Sequence, residues 1–187
     1  MAQGRIDGLR SDAQLNRERI LTVAVEALTE SNTASLNSIA KRAGVGIGTL
    51  YRHFPTREAL VLAVYRHEIE RLADLAPELL DSHPPLEALR LWFDRLAYYG
   101  QMKYGVAEVI HAGSSQGAER EAYDLVIAAL RTLLDAGARA GVLRPNLDAD
   151  DVLLMVAFLW RIDPSTGGEE RAARMLDLVM EGLIARD

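Results

Sequence analysis

Apolar residues recur three or four positions apart along most of the chain, which is the spacing of one face of an α-helix. In the first third of the chain they mark four helices. The first is predicted to begin near Ser11–Asp12 and to end at residues 31–33. Residues 1–11 are polar, contain two glycines and show no periodicity, and they predict a disordered arm. Ser35 then caps a second, short helix, and further short and long helices follow.

The fourth helix is long enough to connect two bodies. Its apolar positions continue from Leu60 to Leu79, and about 24 residues give roughly 36 Å of helix. Residues 82–85, Ser-His-Pro-Pro, end it, because proline cannot continue a helix. No later segment shows the alternation of a β-strand. The rest of the chain predicts five helical segments, with a break at Tyr104–Gly105: residues 86–102, 106–111, 119–140, 148–160 and 169–185.

Composition narrows the class of protein. The 187 residues include no cysteine, which excludes disulfides, thiolate nucleophiles and cysteine-rich zinc sites. No apolar run reaches the roughly 18 residues that a membrane span requires, and the polar N-terminus lacks the apolar core of a secretion signal. We therefore predict a soluble cytoplasmic protein that does not enter the membrane. Arginine far exceeds lysine, which indicates a GC-rich bacterial genome; the two lysines are Lys41 and Lys103.

The charge is distributed unevenly. The whole chain carries a formal charge of −6. Residues 1–57 hold eight basic and five acidic residues, a net of +3, and residues 58–187 hold 13 and 22, a net of −9. Phosphate binding needs a local positive field rather than a positive whole protein. The basic N-terminal part is therefore compatible with nucleic-acid binding.

The second and third helices, with the turn between them, match a helix-turn-helix. The second helix, residues 36–43, is followed directly by Gly44, which is well placed to end it in the left-handed conformation. The third helix covers residues 47–53, and its Leu50 is spaced to face inward together with Phe54. The remaining positions of that helix then face outward, where a recognition helix approaches base edges and phosphates.

The outward residues carry the groups that DNA contact requires. Hydroxyl, amide, imidazole and guanidinium groups donate hydrogen bonds to phosphate oxygens, arginine also matches the guanine edge, and an isoleucine can contact a thymine methyl group. A helix N-terminus also attracts anions, which adds the first residues of the second and fourth helices. The predicted DNA-binding residues are Ser35, Asn37, Ile47, Gly48, Thr49, Tyr51, Arg52, His53 and Arg57.

The segment SLNSIAKRAGVGIGTLYRHFPTREALVLAVY, residues 35–65, resembles the DNA-binding segment of TetR-family transcriptional regulators. The shared pattern is A-x-x-A-G-V-x-x-G-T-L-Y-x-H-F, followed by a charged turn and a long helix, and the close match covers about residues 15–65. The resemblance implies a helix-turn-helix DNA-binding domain over residues 12–56 and a linking helix with a ligand-binding and dimerisation domain over residues 57–187. It also implies a dimer on a palindromic operator. We hypothesise a repressor that a small ligand releases, with activation and ligand-independent repression as the alternatives. Few charged groups lie in the apolar stripes of the middle helices, which favours a mostly apolar ligand.

The chain departs from the family pattern at the start of its third helix. The family often has a serine in the turn, whose hydroxyl caps the recognition helix, and this chain has Gly46. The next position is often polar or basic in the family, and here it is Ile47. Base readout therefore shifts towards other residues, with Asn37 the first candidate.

The resemblance further implies a pocket and a dimer interface in the C-terminal part. Aromatic and aliphatic residues of the middle helices are the pocket candidates: Trp92, Leu96, Tyr99, Val109, Tyr123, Ile127, Met155 and Phe158. In the family the last two helices pair with those of a second copy, so their apolar stripes are the candidate homodimer interface. These stripes consist of Val152, Val156, Leu159, Met175, Leu178, Val179 and Leu183.

Three other interpretations compete with a regulator. The sequence GVGIG is not the G-x-G-x-x-G dinucleotide fingerprint and follows no strand. GSSQG, residues 113–117, matches the G-x-S-x-G of hydrolases, but all four histidines precede Ser115. His67–Glu68 begins a zinc motif whose second histidine is replaced by Arg71. We expect no cofactor, no metal and no catalysis; the alternative is a small helical enzyme or ligand carrier whose N-terminal helices are only structural.

Overall fold

The computed structural model describes residues 2–113, 116–163 and 167–185. Over these residues the chain is helical, and its one β-type pairing is an isolated bridge between Leu143 and Ile184. The predicted all-α fold class is confirmed. The helices are α1 (Ala2–Glu30), α2 (Leu36–Arg42), α3 (Ile47–His53), α4 (Arg57–Ser82), α5 (Pro85–Gly113), α6 (Gln116–Arg139), α7 (Ala149–Met155) and α8 (Gly168–Leu183), with a 3₁₀ turn at Ala157–Arg161.

Helix α1 begins earlier than predicted. The arm expected over residues 1–11 is helical from Ala2 onward, so the predicted start near Ser11–Asp12 is corrected; Met1 lies outside the described residues. The segment contains no proline, and a glycine within a helix costs only about 1 kcal/mol relative to alanine. Polar composition alone therefore did not end the helix.

Helix α4 is a single helix of 26 residues, slightly longer than the 24 predicted. Thr56 caps it, because its hydroxyl accepts a hydrogen bond from the Ala59 N–H at 3.1 Å. Pro77 lies inside the helix, where it removes one backbone donor without ending the element.

Helix α5 runs without interruption through Tyr104–Gly105, where we predicted a break. The segment that follows is held by its own buried side chains, since Val106 and Ile110 are both inside. Burial of these two residues outweighs the modest helix penalty of one glycine. The expected separate segment over residues 106–111 is therefore the end of α5.

The last three helices differ from prediction mainly at their ends. Asp148, the first residue of the predicted segment 148–160, caps α7, with its carboxylate accepting from the Asp150 N–H at 2.8 Å and the Asp151 N–H at 3.2 Å. The α-helix expected to reach Trp160 ends at Met155 and continues as the 3₁₀ turn. Residues 114–115 of GSSQG and residues 164–166 before α8 lie outside the described residues.

The chain divides into two compact units. Unit 1 comprises residues 1–67 and 105–113, and unit 2 comprises residues 68–104 and 114–187. This division differs from the boundary that we expected after residue 56, because the first turns of α4 pack with the N-terminal helices. The core of unit 1 includes Ile20, Leu50 and Phe54. In unit 2, Trp92 and Phe93 are the largest fully buried side chains, with ring centroids 5.8 Å apart. None of the helices described here is both apolar and long enough to cross a bilayer.

Candidate nucleic-acid interface

The turn between α2 and α3 is closed by two backbone hydrogen bonds. Gly44 adopts a left-handed conformation, with φ of 65°, directly after the end of α2. Its N–H bonds to the Lys41 carbonyl at 3.2 Å, and the Val45 N–H bonds to the Ala40 carbonyl at 3.0 Å. This is the Schellman arrangement, which satisfies the last carbonyls of a helix. The glycine stop predicted from the sequence is confirmed, and it fixes where α3 begins.

Helix α3 has one buried and one exposed face. Leu50 is fully buried and Phe54 nearly so, as predicted, and the Arg17 guanidinium of α1 lies 5.6 Å from the centre of the Phe54 ring. On the other side Ile47 and Tyr51 are exposed, with 48% of Tyr51 accessible. These inward contacts hold the helix in place while its outer residues remain available to a partner.

The remaining predicted contacts of α3 lie on or beside this exposed face. Gly48 and Arg52 are exposed, whereas Thr49 and His53 are half-buried. A Cβ atom at Gly48 would meet no atom within 4 Å, so packing within the chain does not require the glycine. Because glycine has no side chain, a ligand backbone could approach the helix closely at this position.

The side chain of Arg52 lies back along its own helix. Its Nε donates to the Gly48 carbonyl at 3.2 Å, and its Nη2 donates to the Thr49 hydroxyl at 3.0 Å. The predicted base-reading group is thus held in one orientation by α3 itself. Sequence reasoning named all three residues as candidates but did not predict that they contact one another.

The N-terminus of α2 presents two further predicted contacts. The Ser35 hydroxyl caps the helix by accepting from the Ser38 N–H at 3.1 Å. A hydroxyl that accepts in this way still has its own proton to donate, for example to a phosphate oxygen. Asn37, in the first turn, is exposed. The structure therefore keeps both residues on the surface, while giving Ser35 a structural role as well.

Arg57, the last predicted contact, is engaged within the chain. Its guanidinium donates to the Asn32 carbonyl just after α1, which joins that loop to the start of α4. The neighbouring Glu58 carboxyl has a lowered pKa. The main cause is a hydrogen bond from the Glu58 backbone N–H, and the second is a hydrogen bond from the Thr56 side chain. An arginine in this position supports the joint between two helices, and phosphate contact would need one of its other N–H groups.

An ion cluster that sequence reasoning missed ties α2 to α1. Arg42 bonds both oxygens of Glu30, at 2.6 and 3.1 Å, and approaches Glu26 at 3.4 Å. The hydrogen bond from Arg42 and its charge lower the pKa of the Glu30 carboxyl. The two glutamates lie four residues apart on one helix face, which was the available signal. Part of the positive charge counted in the N-terminal part is therefore neutralised internally.

Comparison with known proteins identifies the family. The model described as "Bacterial regulatory proteins, tetR family" matches residues 20–64, and "Transcriptional regulator SbtR-like, C-terminal domain" matches residues 84–185. The chain belongs to the TetR family of transcriptional regulators. The second match covers more than half of the chain, so family membership does not rest on the helix-turn-helix alone. The resemblance stated from residues 35–65 is confirmed.

Solved structures of TetR-family proteins are similar over nearly the whole chain. A TetR transcriptional regulator from Streptomyces coelicolor is 40% identical, with a TM-score of 0.79, over 91% of this chain and 99% of that one. A TetR regulatory protein from Mycobacterium vanbaalenii is 34% identical, with a TM-score of 0.74, over 95% and 99%. An HTH-type transcriptional regulator of Staphylococcus aureus (strain USA300) is 30% identical over 111 residues, or 58% of this chain; that match spans 60% of the relative's length.

The pocket residues predicted for this TetR-family regulator do not share one environment. Trp92, Leu96, Tyr99 and Ile127 are buried, and Val109 and Phe158 are half-buried. Tyr123 and Met155 are exposed, so their predicted place inside a pocket is corrected. The indole N–H of Trp92 donates to the Leu72 carbonyl at 2.8 Å, so Trp92 is a core residue whose one polar group has a hydrogen-bond partner.

A separate groove of about 610 Å³ lies between the start of α5 and the end of α8. Its lining includes Leu86, Arg90, Asp177, Met180 and Ile184.

The residues of the predicted dimer interface also differ in burial. Val152, Val156 and Leu159 are buried inside unit 2, as are Val179 and Leu183. A residue that its own chain already buries offers no apolar surface to a second copy, so these five assignments are corrected to core. Met175 is half-buried and Leu178 is 70% exposed. The exposed stripe is therefore narrower than the sequence predicted.

The described part of the chain includes the partial zinc motif at His67–Glu68. Among residues 2–113, 116–163 and 167–185, no cluster of three His, Asp or Glu side chains could hold a metal ion. Glu68 of the partial zinc motif is buried against Arg95. Ser115 of the partial hydrolase motif lies outside the described residues.

Proposed function

We propose that this TetR-family chain is a DNA-binding transcriptional repressor that acts by binding and not by catalysis. The observation that carries the proposal is the two-faced α3. Leu50 and Phe54 hold it inside the protein, while Tyr51 and Arg52 extend from the opposite side. A short, well-anchored helix with aromatic, hydroxyl and cationic groups outside matches a recognition helix in a major groove. The N-terminus of α2 adds Ser35 and Asn37 as further DNA contacts.

The proposed repressor is a homodimer on a palindromic operator. Leu178 on α8 and Leu154 on α7 are 70% and 74% exposed, so each has apolar surface free for a second copy. Gly182 lies one turn beyond Leu178, and a Cβ there would meet no atom within 4 Å. A large apolar residue next to a small one favours close packing of a second helix. Two copies related by a twofold axis would place two α3 helices about 34–36 Å apart, in successive major grooves.

The proposed effector is a small, mostly apolar molecule bound within unit 2, which lowers DNA affinity when it binds. The core of that unit contains aromatic and aliphatic side chains such as Leu96, Tyr99 and Ile127. An apolar ligand can release the repressor only if it binds the DNA-free state more tightly than the DNA-bound state. Both tryptophans, Trp92 and Trp160, lie in unit 2, so their fluorescence reports on ligand binding there.

Gel-shift titration of the purified chain tests the proposal, with the promoter region beside its own gene as the probe. We expect a complex whose affinity falls with salt, because phosphate contacts release counterions. Tyr51→Ala and Arg52→Ala should each weaken binding about tenfold or more. Tyr123→Ala is the matched control, since Tyr123 is similarly exposed, at 44% against 48% for Tyr51. Failure of the ligand-free chain to bind would contradict the proposal and favour the helical enzyme or carrier.

A mass spectrum of the freshly purified chain under native conditions tests the effector separately. A co-purified molecule should be mostly apolar, and its addition should quench or shift tryptophan fluorescence and weaken the gel-shift complex. A bound molecule that leaves DNA affinity unchanged would contradict ligand-relieved repression while leaving DNA binding intact.

A further inference from the structure

We propose that Arg52 reads a guanine in the operator and that Thr49 is the positioning residue that presents it. The proposal rests on the DNA binding proposed above. It adds which base Arg52 reads and which residue orients the Arg52 guanidinium. It gives Thr49 a role beyond the direct DNA contact predicted from the sequence. The observation behind it is the pair of hydrogen bonds that hold the Arg52 guanidinium against α3.

The two bonds use one particular edge of the guanidinium. Nε and Nη2 form its side-on edge, and they donate to the Gly48 carbonyl at 3.2 Å and the Thr49 hydroxyl at 3.0 Å. The guanidinium is planar, with five N–H groups in a fixed fork. Engaging the side-on edge therefore sets the plane and direction of the end-on edge, which Nη1 and Nη2 form. Because Arg52 is exposed, this second edge is available to a partner outside the chain.

The end-on edge matches guanine better than any other base. Its two parallel N–H groups need two acceptors side by side, and in the major groove O6 and N7 of guanine supply them. Adenine offers one acceptor beside a donor, cytosine offers a donor, and thymine offers one acceptor beside a methyl group. A correct bidentate contact corresponds to about 5- to 150-fold discrimination against a wrong base.

Thr49 contributes by restricting an otherwise flexible side chain. An arginine that samples many rotamers in the free protein loses that freedom on binding, whereas one that is already held loses less. Thr49 is half-buried, and its hydroxyl accepts from Nη2 of Arg52 at 3.0 Å. The neighbouring Gly48 has no side chain to cover the carbonyl that Arg52 also uses. We therefore expect loss of the Thr49 hydroxyl to relax base choice more than it weakens overall binding.

Selection from a randomised duplex DNA library, with the full-length chain, tests the assignment. The proteins are wild type, Arg52→Ala, Thr49→Val and Thr49→Ser. Wild type should enrich a motif that contains at least one guanine. That guanine should be absent from the motif that Arg52→Ala enriches. Thr49→Val keeps the shape but lacks the hydroxyl, and it should lower the preference for that guanine at least fivefold; Thr49→Ser keeps the hydroxyl and should retain the preference. Thermal melting of each variant confirms that it is folded.

A chemical change in the DNA gives a second readout that does not depend on Thr49 variants folding. Replacing the selected guanine by 7-deazaguanine removes the N7 acceptor and keeps base pairing. Wild-type affinity should fall at least fivefold, and Arg52→Ala affinity should not change further. Equal losses in both proteins would overturn the guanine assignment.

The remaining outcomes separate this inference from the proposed function. If wild type enriches no motif and binds no duplex, the proposed function and this inference are both contradicted. If it enriches a motif in which no guanine depends on Arg52, only the assignment of guanine reading to Arg52 is contradicted. If Thr49→Val weakens binding to all sequences equally and makes the affinity less dependent on salt, Thr49 is a phosphate contact and its positioning role is overturned.

Discussion

Glu68 on α4 and Arg95 on α5 form an ion pair whose carboxylate is buried. Among the described residues Glu68 is the one charged side chain in the buried class, at 4% exposure, and the Arg95 guanidinium lies 4.8 Å over the ring of Tyr98. Removing one partner of such a pair leaves a charge without compensation inside the protein, whereas apolar replacement of both is often tolerated. The pair therefore fixes how α4 lies on α5 within unit 2 more than it adds to stability.

The first prediction separates these two effects. Arg95→Met should lower the free energy of unfolding by about 3–5 kcal/mol, because Glu68 stays buried without its partner. The double variant Glu68→Leu/Arg95→Met should recover most of that loss. Arg120→Met is the matched control, since Arg120 pairs with Asp124 at 3.8 Å on an exposed surface, and it should cost less than about 1 kcal/mol. Urea unfolding measures all three, and equal losses in the single and double variants would contradict the argument.

The second prediction concerns the two glycines of the helix-turn-helix, which should respond with opposite signs. Gly46 precedes α3 in an extended conformation, with no side-chain cap, and a Cβ there would lie 4.0 Å from the Thr49 hydroxyl. Gly46→Ser therefore fits and supplies the missing cap, which should stabilise by a few tenths of a kcal/mol. Gly44→Ala forces alanine into the left-handed region and should cost about 1–2 kcal/mol. Thermal unfolding that shows the same sign for both would count against this account.

The third prediction is a pH dependence that arises from Lys103. Burial lowers its pKa below the ordinary 10.5, and the charge of Glu119 acts in the opposite direction. Because the pKa is lower in the folded state, protonated Lys103 opposes folding at neutral pH, and this cost disappears as the pH rises through 10.5. Lys103→Met should therefore be more stable than wild type near about pH 7, and the difference should shrink towards about pH 11.

Urea midpoints measured across this pH range test the third prediction. Lys41→Met, at an exposed position on α2, is the matched control, because Lys41 and Lys103 are the two lysines of the chain. A Lys103→Met gain that persists unchanged at alkaline pH would show that packing of the new side chain, and not the lysine charge, is responsible. A loss at neutral pH would mean that the contacts of Lys103, among them the cation–π contact with Trp160 at 5.5 Å, outweigh the burial cost.

Local patterns predicted the parts of the fold that depend on neighbours in sequence. Leu50 and Phe54 are four residues apart, and Gly44 follows its helix directly, so one helical turn of sequence contained the information. Contacts between distant residues were not predictable in this way. Arg42 meets Glu30 across twelve residues and Arg95 meets Glu68 across twenty-seven, and many exposed-looking charges in the sequence were equally eligible partners.

Apolar periodicity also does not tell which surface covers a face. Val152 and Leu178 are both apolar residues on the last helices, yet one is buried in its own chain and the other is exposed. The stripe predicted that each needs a partner, and only the tertiary packing shows that Val152 already has one. The DNA contacts, including the exposed Tyr51 and Asn37, stay predictions.

The fourth prediction tests the proposed dimer through that exposed residue. Leu178→Glu places a charge on the outer face of α8, where it costs little in the single chain because the side chain is 70% exposed. In an interface the same carboxylate would be buried without a partner, which should convert the dimer to a monomer at micromolar concentration. Size-exclusion chromatography with light scattering gives the mass. Binding to a palindromic duplex should fall at the same time, since one chain engages only one half-site.

The control for the fourth prediction is Leu15→Glu on α1. Leu15 is also an exposed leucine, at 56%, but it lies in unit 1 and outside the proposed interface. This variant should keep twice the mass of a single chain. A Leu178→Glu protein that remains dimeric would place the interface elsewhere on unit 2. Leu154→Glu would then decide between the exposed faces of α7 and α8, because Leu154 is the most exposed leucine of α7 and is separate from the α8 stripe.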